Sequence, residues 1–274
     1  MNSEYNLRPL WDACLAIYKE VAKVCDAHGL RYYVNGGTAL GAMRHHGFIP
    51  WDDDFDIMMP RQDYRKLLDI YNKELPSYLA TEDFHNEEHR YGFKEMFGKV
   101  YETRPEVIAK VAEESNLDLL QGVFIDIFPI DGYPKGRLAT RWWYLLRTIK
   151  RCIAGFGNRP WYTKPFISLL KLIFGFGNSR VANAKKFEKW LMKWDFDTAY
   201  AVDDYNIYKR RMLKHSYKKS NLEPPTMVPF EDIMVPMPHD AEYYVEEYFG
   251  NWRKMPPEEH RHPTHQVKCT SHED

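Results

Sequence analysis

The feature that most restricts the fold of this chain is segment 51–58, WDDDFDIM, where four aspartates within five residues lead directly into apolar residues. In an extended backbone successive side chains alternate between faces, so Asp52, Asp54 and Asp56 are expected to share one face. Carboxylates about 7 Å apart repel each other in a partly buried setting, and a divalent cation removes that repulsion. The segment therefore predicts a strand that carries a Mg²⁺ or Mn²⁺ site, of a kind that often acts on phosphate.

The alternative is an acidic surface loop that precedes a strand, which is the commoner meaning of an acidic run. Two features favour the metal site. The carboxylates lead into an apolar run rather than out of one, and a Gly36-Gly37 turn lies shortly upstream.

The composition permits one large domain, or a domain with a substantial insertion, since 274 residues at 44% apolar content can build a sizeable core. The four cysteines are scattered without metal-binding spacing, which favours reduced thiols and a cytoplasmic location. Charges run through the N-terminal segment, and no apolar run reaches about 18 residues, so neither a signal peptide nor a membrane-spanning helix is expected.

Charge is distributed unevenly along the chain. Residues 132–187 hold 12 Lys and Arg and no Asp or Glu, which leaves −13 for the remainder because the whole chain is at −1. This boundary predicts a catalytic core over 1–131, a basic, aromatic and mostly helical insertion over 132–187, and a C-terminal part over 188–274 that completes the core and the acceptor side.

The basic stretch 135–178 has three open interpretations. It can lie on an anionic membrane surface, which would place the protein peripherally on the inner face of the cell membrane. It can line a groove for a lipid-linked or anionic glycan acceptor. It can also be a helical subdomain whose apolar face belongs to the core. Nucleic acid is not expected as a partner, because no recognised binding motif is present.

Hydrophobic periodicity and turn residues predict the main elements of secondary structure. The predicted helices cover 7–28, 39–44, 60–75 and 239–249, and the predicted strands cover 31–34, 122–129 and 233–238. A turn at Asp131 and Gly132 is expected to close the strand over 122–129.

Three parts of the sequence carry the predicted chemistry. Gly36, Gly37 and Thr38 follow a strand and open a helix, an arrangement that lets backbone N–H groups approach phosphate oxygens. The acidic segment comes next. Asp126 then sits inside the apolar strand FIDIF, where an unpaired carboxylate is costly. Asp126 either bonds to backbone groups or reaches a metal ion held by Asp54 and Asp56.

A Gly-Gly turn, a D-x-D strand and a third strand carboxylate resemble the nucleotidyltransferase pattern of the DNA polymerase β type. The resemblance becomes specific over 33–61, YVNGGTALGAMRHHGFIPWDDDFDIMMPR, which closely resembles the signature of the LicD family. That family includes bacterial phosphocholine transferases and is related to the fukutin-related proteins. Further matches are FIDIFPID at 124–131, FEDIMVPMP at 230–238 and YFGNWRKMPP at 248–257.

The resemblance implies an α+β nucleotidyltransferase fold, a mixed sheet flanked by helices, with the basic helical insertion added to it. It also implies a Mg²⁺ (or Mn²⁺) cofactor and transfer of phosphocholine, or a related phospho-amino-alcohol or phosphonate group, from a CDP-linked donor. The acceptor is expected to be a hydroxyl of a cell-surface glycan precursor. Carried over by position, Asp54, Asp56 and Asp126 would be catalytic and bind metal, with Asp52 close by.

The resemblance also implies that Gly36, Gly37 and Thr38 hold the donor phosphates. Lys99 occupies a place where the family has a basic residue, which suggests a further phosphate contact. A cysteine zinc site of the fukutin-related branch is not expected, since 132–187 holds only Cys152.

Several other residues are weaker candidates. Arg44 can pair with phosphate at the end of the short helix, or it can be a solvated surface residue. His45 and His46 are candidate substrate contacts, although histidines in loops are commonly just exposed. Trp252 can stack on substrate or pack in the core.

Two rival functions remain open. A nucleotide-sugar glycosyltransferase also uses a D-x-D motif and Mn²⁺, but it needs neither the Gly-Gly-Thr helix nor the third strand aspartate. A non-catalytic glycan- or metal-binding module would show no turnover, and the intact carboxylate set argues against it.

Overall fold

The computed structural model of the chain describes residues 5–85, 96–119, 122–155, 164–199, 201–203 and 218–263. It shows an α+β fold in which a mixed sheet is flanked by helices, so the predicted fold class is confirmed. The helices are α1 Arg8–Ala27, α2 Gly36–His45, α3 Arg61–Glu74, α4 Pro105–Ser115, α5 Arg137–Ala154, α6 Lys164–Phe174, α7 Arg180–Leu191, α8 Lys219–Leu222 and α9 Ala241–Phe249, with a 3-10 turn at Glu258–His260. The strands are β1 Tyr33–Val34, β2 Asp56–Pro60, β3 Leu79–Glu82, β4 Gly98–Glu102, β5 Phe124–Tyr133, β6 Ala201–Asp203, β7 Thr226–Phe230 and β8 Ile233–Met237.

The described strands form a sheet of order β1-β2-β5-β4-β3, with β6 on the far end of β5, and a separate β7-β8 hairpin. β2 and β5 run parallel, and the other neighbours run antiparallel. The register places Asp126 between Asp56 on one neighbouring strand and Lys99 on the other. The sheet therefore brings three residues distant in sequence side by side.

Helix α1 covers the sheet with one apolar face. Leu10, Cys14, Ile17 and Val21 recur at three- and four-residue steps, and all four are buried. The helix covers nearly the predicted span, and Gly29 follows it with a positive φ of 60° that suits glycine.

The acidic segment is only partly a strand, which corrects one expectation. β2 begins at Asp56 rather than at Asp52. The Asp52 N–H donates to the Ile49 carbonyl at 2.9 Å, and the Trp11 indole N–H donates to the Asp52 carbonyl at 2.8 Å. These bonds hold the backbone in a turn, so Asp52 does not enter the ladder.

The predicted turn at Asp131 and Gly132 is wrong, because β5 continues to Tyr133. The reason is tertiary: β6 pairs with residues 131–133 and extends the strand. A Cβ at position 132 would lie 2.6 Å from the Trp194 carbonyl oxygen. Gly132 therefore allows a close approach between segments rather than a reversal of the chain.

The basic region 132–187 is mostly helical where it is described, as α5, α6 and the first part of α7, although β5 extends into it as far as Tyr133. Residues 156–163 lie outside the described part. α5 packs on α7 through an aromatic group in which Trp143 stacks on Trp190 with centroids 6.0 Å apart. No helix among the described residues is both long and apolar enough to cross a bilayer.

Candidate active site

Three carboxylates meet where β2 and β5 lie side by side. Asp54, Asp56 and Asp126, here called the acidic triad, each offer one oxygen, and these oxygens lie within 4.8 Å of one another. All three side chains are buried. Asp54 precedes β2 and Asp56 begins it, so both carboxylates reach the Asp126 side as the alternation of an extended backbone requires.

The Asp56 carboxyl is under strong electrostatic strain. Burial raises the pKa of its carboxyl well above the usual range, and the charges of Asp54, Asp126 and Asp52 raise it further, while Lys99 opposes them. Among the described atoms, its Oδ1 is buried without a hydrogen-bond partner. A group of carboxylate oxygens of this kind fits a hard divalent cation. Such an ion would give Asp56 Oδ1 a partner and offset the repulsion among the carboxylates.

Lys99 lies on the other side of Asp126. Its ammonium donates to Asp126 Oδ1 at 2.5 Å and sits 3.5 Å from the centroid of the Phe124 ring. Because the side chain is buried, its charge acts on the triad with little solvent screening. The role of Lys99 as a contact of the donor phosphates stays a prediction. The structure shows that the same ammonium binds Asp126.

The Gly-Gly-Thr segment forms the first turn of α2, directly beside the triad. Asn35 caps the helix by accepting from the Gly36 N–H at 2.8 Å. The Thr38 hydroxyl accepts a bond from the Asp56 N–H at 2.8 Å, so this side chain ties the helix to β2.

Both glycines allow carboxylates to approach α2 closely. Gly36 has a positive φ of 50°, and a Cβ there would lie 2.9 Å from Asp56 Oδ2. A Cβ at Gly37 would lie 2.5 Å from Asp52 Oδ2. Asp52 therefore lies next to the helix N-terminus, although it does not belong to the acidic triad among the described residues.

The remaining candidates lie at the other end of α2. The Arg44 guanidinium donates to the Trp252 carbonyl at 3.1 Å and to His45 Nε2 at 3.0 Å. The net pKa of Arg44 is lowered. Burial lowers it most, the charge of Asp52 opposes this, and the charge of Arg261 lowers it further. Burial, followed by the charge of Arg44, lowers the pKa of His45.

His46 and Trp252 have different settings. His46 is exposed and ends α2 in the left-handed conformation, with a φ of 54°. The Trp252 side chain is buried, with the Arg253 guanidinium 4.3 Å from its ring centroid. The geometry favours packing for Trp252, and its role as a substrate contact stays a prediction.

Sequence reasoning missed three residues that shape this site. Asn35 caps α2, and the buried Tyr244 hydroxyl on α9 donates to Asn35 Oδ1. Arg261 lies near Arg44, with its guanidinium 5.8 Å from the centroid of the Trp51 ring. An asparagine directly before a Gly-Gly helix start is itself an N-cap signal, whereas nothing local points to Tyr244 or Arg261.

A second buried charged group occupies the far ends of the same two strands. We call it the Arg61 cluster; its members are Arg61, Arg65, Asp83, His85, Asp131 and Glu188. The Arg61 guanidinium bonds to both oxygens of Asp131, at 2.8 Å for one of them, and to Glu188 at 3.1 Å. Since Glu188 lies on α7, this cluster fastens the helical region to the sheet.

A helix N-terminus lies beside a carboxylate triad on a mixed sheet, as the nucleotidyltransferase pattern predicts. Residues 29–141 match the family model described as LicD/FKTN/FKRP, nucleotidyltransferase domain. Over these residues the chain is similar to the LicD family, so the recognised resemblance is confirmed.

Two relatives illustrate the range of the similarity. The chain is 25% identical over 260 residues to the lipopolysaccharide cholinephosphotransferase LicD of Haemophilus influenzae, covering 92% of this chain and 93% of that protein. It is 43% identical over 75 residues to the human ribitol 5-phosphate transferase FKRP, covering 26% of this chain and 15% of that protein.

Proposed function

We propose that this protein is a metal-dependent phosphotransferase that moves phosphocholine, or a related phospho-amino-alcohol or phosphonate group, from a CDP-linked donor to a glycan hydroxyl. The observation that carries the proposal is the buried acidic triad beside the N-terminus of α2, inside the region that matches the family. The relatives named above transfer cholinephosphate and ribitol 5-phosphate, so their names support the reaction class.

Each part of the site has a role in this reaction. Asp54 and Asp56 would hold a Mg²⁺ or Mn²⁺ ion, with Asp126 as the third ligand and Asp52 close by. When bound, the ion neutralises charge on the donor phosphates. The segment from Gly36 through Thr38 faces the donor diphosphate, with the field of α2 favouring its negative charge. The Gly36 N–H is already bonded to Asn35, so Gly36 contributes close approach of the backbone rather than a donor. Lys99 adds positive charge beside the triad. Arg44 lies at the other end of α2, where its charge still interacts with Asp52, and it is proposed to reach the donor from that side.

The transfer itself is an in-line displacement. The acceptor oxygen forms a bond to the phosphorus that carries the head group, and the bond from that phosphorus to the bridging oxygen breaks, which releases CMP. The hydroxyl proton passes to a carboxylate, and Asp126 is the residue we assign to orient or accept it. Its contact with Lys99 holds this carboxylate in place.

The acceptor is proposed to be a hydroxyl of a cell-surface glycan precursor, such as a lipopolysaccharide or teichoic acid unit, modified in the cytoplasm. His45, His46 and the C-terminal segment that includes Trp252 border α2 and are proposed as the acceptor side. The free thiols of Cys14, Cys25 and Cys152 accord with a reducing compartment.

A direct test is thermal stabilisation by CDP-choline, CDP-ethanolamine, a CDP-linked polyol, CMP and UDP-sugars, each with and without Mg²⁺. We expect a Mg²⁺-dependent shift with a CDP compound, lost in Asp56→Asn and kept in Asp69→Asn. Asp69 is the matched control because its carboxylate is exposed on α3, away from the site. Phosphorus analysis of the product then identifies the transferred group.

The rival functions give different results. A shift with UDP-sugars alone, and a product without phosphorus, would establish the glycosyltransferase in place of the phosphotransferase. Absence of turnover with every donor and with glycan acceptors would leave a binding module. A shift with a CDP-linked polyol alone would keep the reaction class and replace the amino-alcohol head group.

A further inference from the structure

Helices α5 and α6 expose an unusual amount of apolar surface. Thirteen large apolar side chains are exposed in the described part of the chain, and seven of them lie on these two helices. On α5 they are Leu138, Trp142 and Leu145, exposed by 71%, 62% and 47%. On α6 they are Phe166, Leu169, Leu172 and Ile173. We call these residues the α5–α6 face.

The exposed residues follow helical spacing. Leu138, Trp142 and Leu145 are separated by four and three residues, so they form one stripe along α5. Phe166, Leu169 and Ile173 do the same along α6. The two helices contact each other, and the opposite side of α5 is occupied, since Trp143 packs against Trp190 of α7.

The charge around this face has one sign. The helices and their flanks lie inside 132–187, where 12 Lys and Arg occur without any Asp or Glu. Arg137 and Arg141 are exposed on α5 next to the apolar stripe. An amphipathic helix with bulky apolar residues beside basic ones lies in the plane of a membrane interface and is drawn to anionic lipid.

We infer that the α5–α6 face binds the surface of an anionic lipid bilayer. A second copy of the chain fits this face poorly, because a two-fold contact would bring the same positive charges together. A bilayer with acidic headgroups satisfies both the charge and the apolar surface. Neither helix is long and apolar enough to cross it, so the association is peripheral.

The test is flotation with large unilamellar vesicles of phosphatidylcholine alone, or of phosphatidylcholine with about 30% phosphatidylglycerol. We expect the wild-type chain to float with the anionic vesicles only, and less so as salt rises from about 0.1 M to 0.5 M. Binding to neutral vesicles that equals binding to anionic ones, or binding to neither, would overturn the inference.

Two pairs of variants separate the apolar contribution from the charge. The double variant Trp142→Ser and Leu169→Ser is expected to weaken partitioning at least about tenfold, since both residues are exposed and neither supports the core. Its control is Met227→Ser with Met234→Ser, two methionines that are each 51% exposed outside this face.

The charge variant is Arg137→Gln with Arg141→Gln, expected to weaken binding to anionic vesicles about fivefold for each charge. Lys66→Gln with Lys110→Gln is the control, because these ammonium groups are highly exposed on other helices. If a control pair weakens binding as much as its test pair, the face is not the site.

Light scattering in the absence of lipid tests the self-association alternative. If the wild-type chain is a dimer and Trp142→Ser is a monomer, the face binds a second copy of the chain and the inference is overturned. Flotation needs no turnover, so the inference can fail while the proposed transferase activity stands, and the reverse also holds.

Discussion

Two buried clusters of charged side chains lie at opposite ends of the same pair of parallel strands, and their charges are compensated in different ways. The acidic triad lies where β2 and β5 begin their pairing, at Asp56 and Asp126. The Arg61 cluster lies where that pairing ends, with Arg61 directly after β2 and Asp131 inside β5. Both sets of side chains are largely withdrawn from water.

The Arg61 cluster balances its charge internally. Two arginines and the charged form of His85, which its raised pKa favours, match the three carboxylates of Asp83, Asp131 and Glu188. In the triad three carboxylates face one another, and the charges of Asp54 and Asp126 raise the pKa of Asp56. A buried cluster of alternating charges serves the fold, whereas one in which carboxylates converge is suited to a cation.

The sharpest way to break this comparison is to neutralise one triad carboxylate. We expect Asp54→Asn and Asp56→Asn each to lower the proposed transferase activity by at least about 10³-fold, because the proposed metal site loses a charged ligand. The free energy of unfolding, measured with urea in the presence of EDTA, should hold or rise, since repulsion inside the triad falls. Parallel loss of activity and stability would show that the triad is a structural element.

Removing the central cation of the balanced cluster should have the opposite result. Arg61→Ala leaves Asp131 and Glu188 buried without their main partner, so we expect a loss of about 3–5 kcal/mol in the free energy of unfolding. Arg65→Ala is the matched control. Its side chain is 27% exposed, and a loss of at most about 1 kcal/mol is expected. If urea unfolding shows equal losses of free energy for the two variants, Arg61 is not the central cation of the cluster.

A smaller effect is expected where α2 approaches the triad. Gly36→Ala places a methyl group 2.9 Å from Asp56 Oδ2 at a positive φ, and we expect about a tenfold loss in kcat/KM for the donor. Gly29→Ala is the control, since its φ is also positive, at 60°, but a Cβ there meets no atom within 4 Å among the described residues. Both variants should lose about 1 kcal/mol of stability, and only Gly36→Ala should lose activity.

Part of the acidic triad could be predicted from local sequence, and part of it depends on distant segments. The sequence left two partners open for Asp126, backbone groups or a site shared with Asp54 and Asp56, because an isolated carboxylate in FIDIF needs a partner. The structure places it with Asp54 and Asp56. The start of β2 could not be placed, since the turn that excludes Asp52 depends on Trp11 of α1. The predicted transferase roles of these residues await the activity measurements above.

The Arg61 cluster lay beyond sequence reasoning for a related reason. Its partners come from α3, the segment after β3, β5 and α7, so no local spacing brings Arg61, Asp131 and Glu188 together. The turn predicted at Asp131 and Gly132 followed from local turn chemistry, and the pairing of β6 with β5 overrides it. Long-range pairing decides both cases.

The smallest predicted effect concerns the pH dependence of the balanced cluster. Burial lowers the pKa of His85, but hydrogen bonds to Asp83 and Glu188 outweigh it, so the net pKa is raised.

A raised pKa in the folded state means that the histidine stabilises the fold below its unfolded pKa of about 6.5. That contribution is lost as pH rises through the higher folded value. We therefore expect the free energy of unfolding to fall as pH rises above about 6.5, and His85→Gln to remove that decline. Urea unfolding across this range measures it, with substitution of the exposed His260 as control. A decline that survives in His85→Gln would assign it to other groups and leave His85 outside the charge balance of the Arg61 cluster.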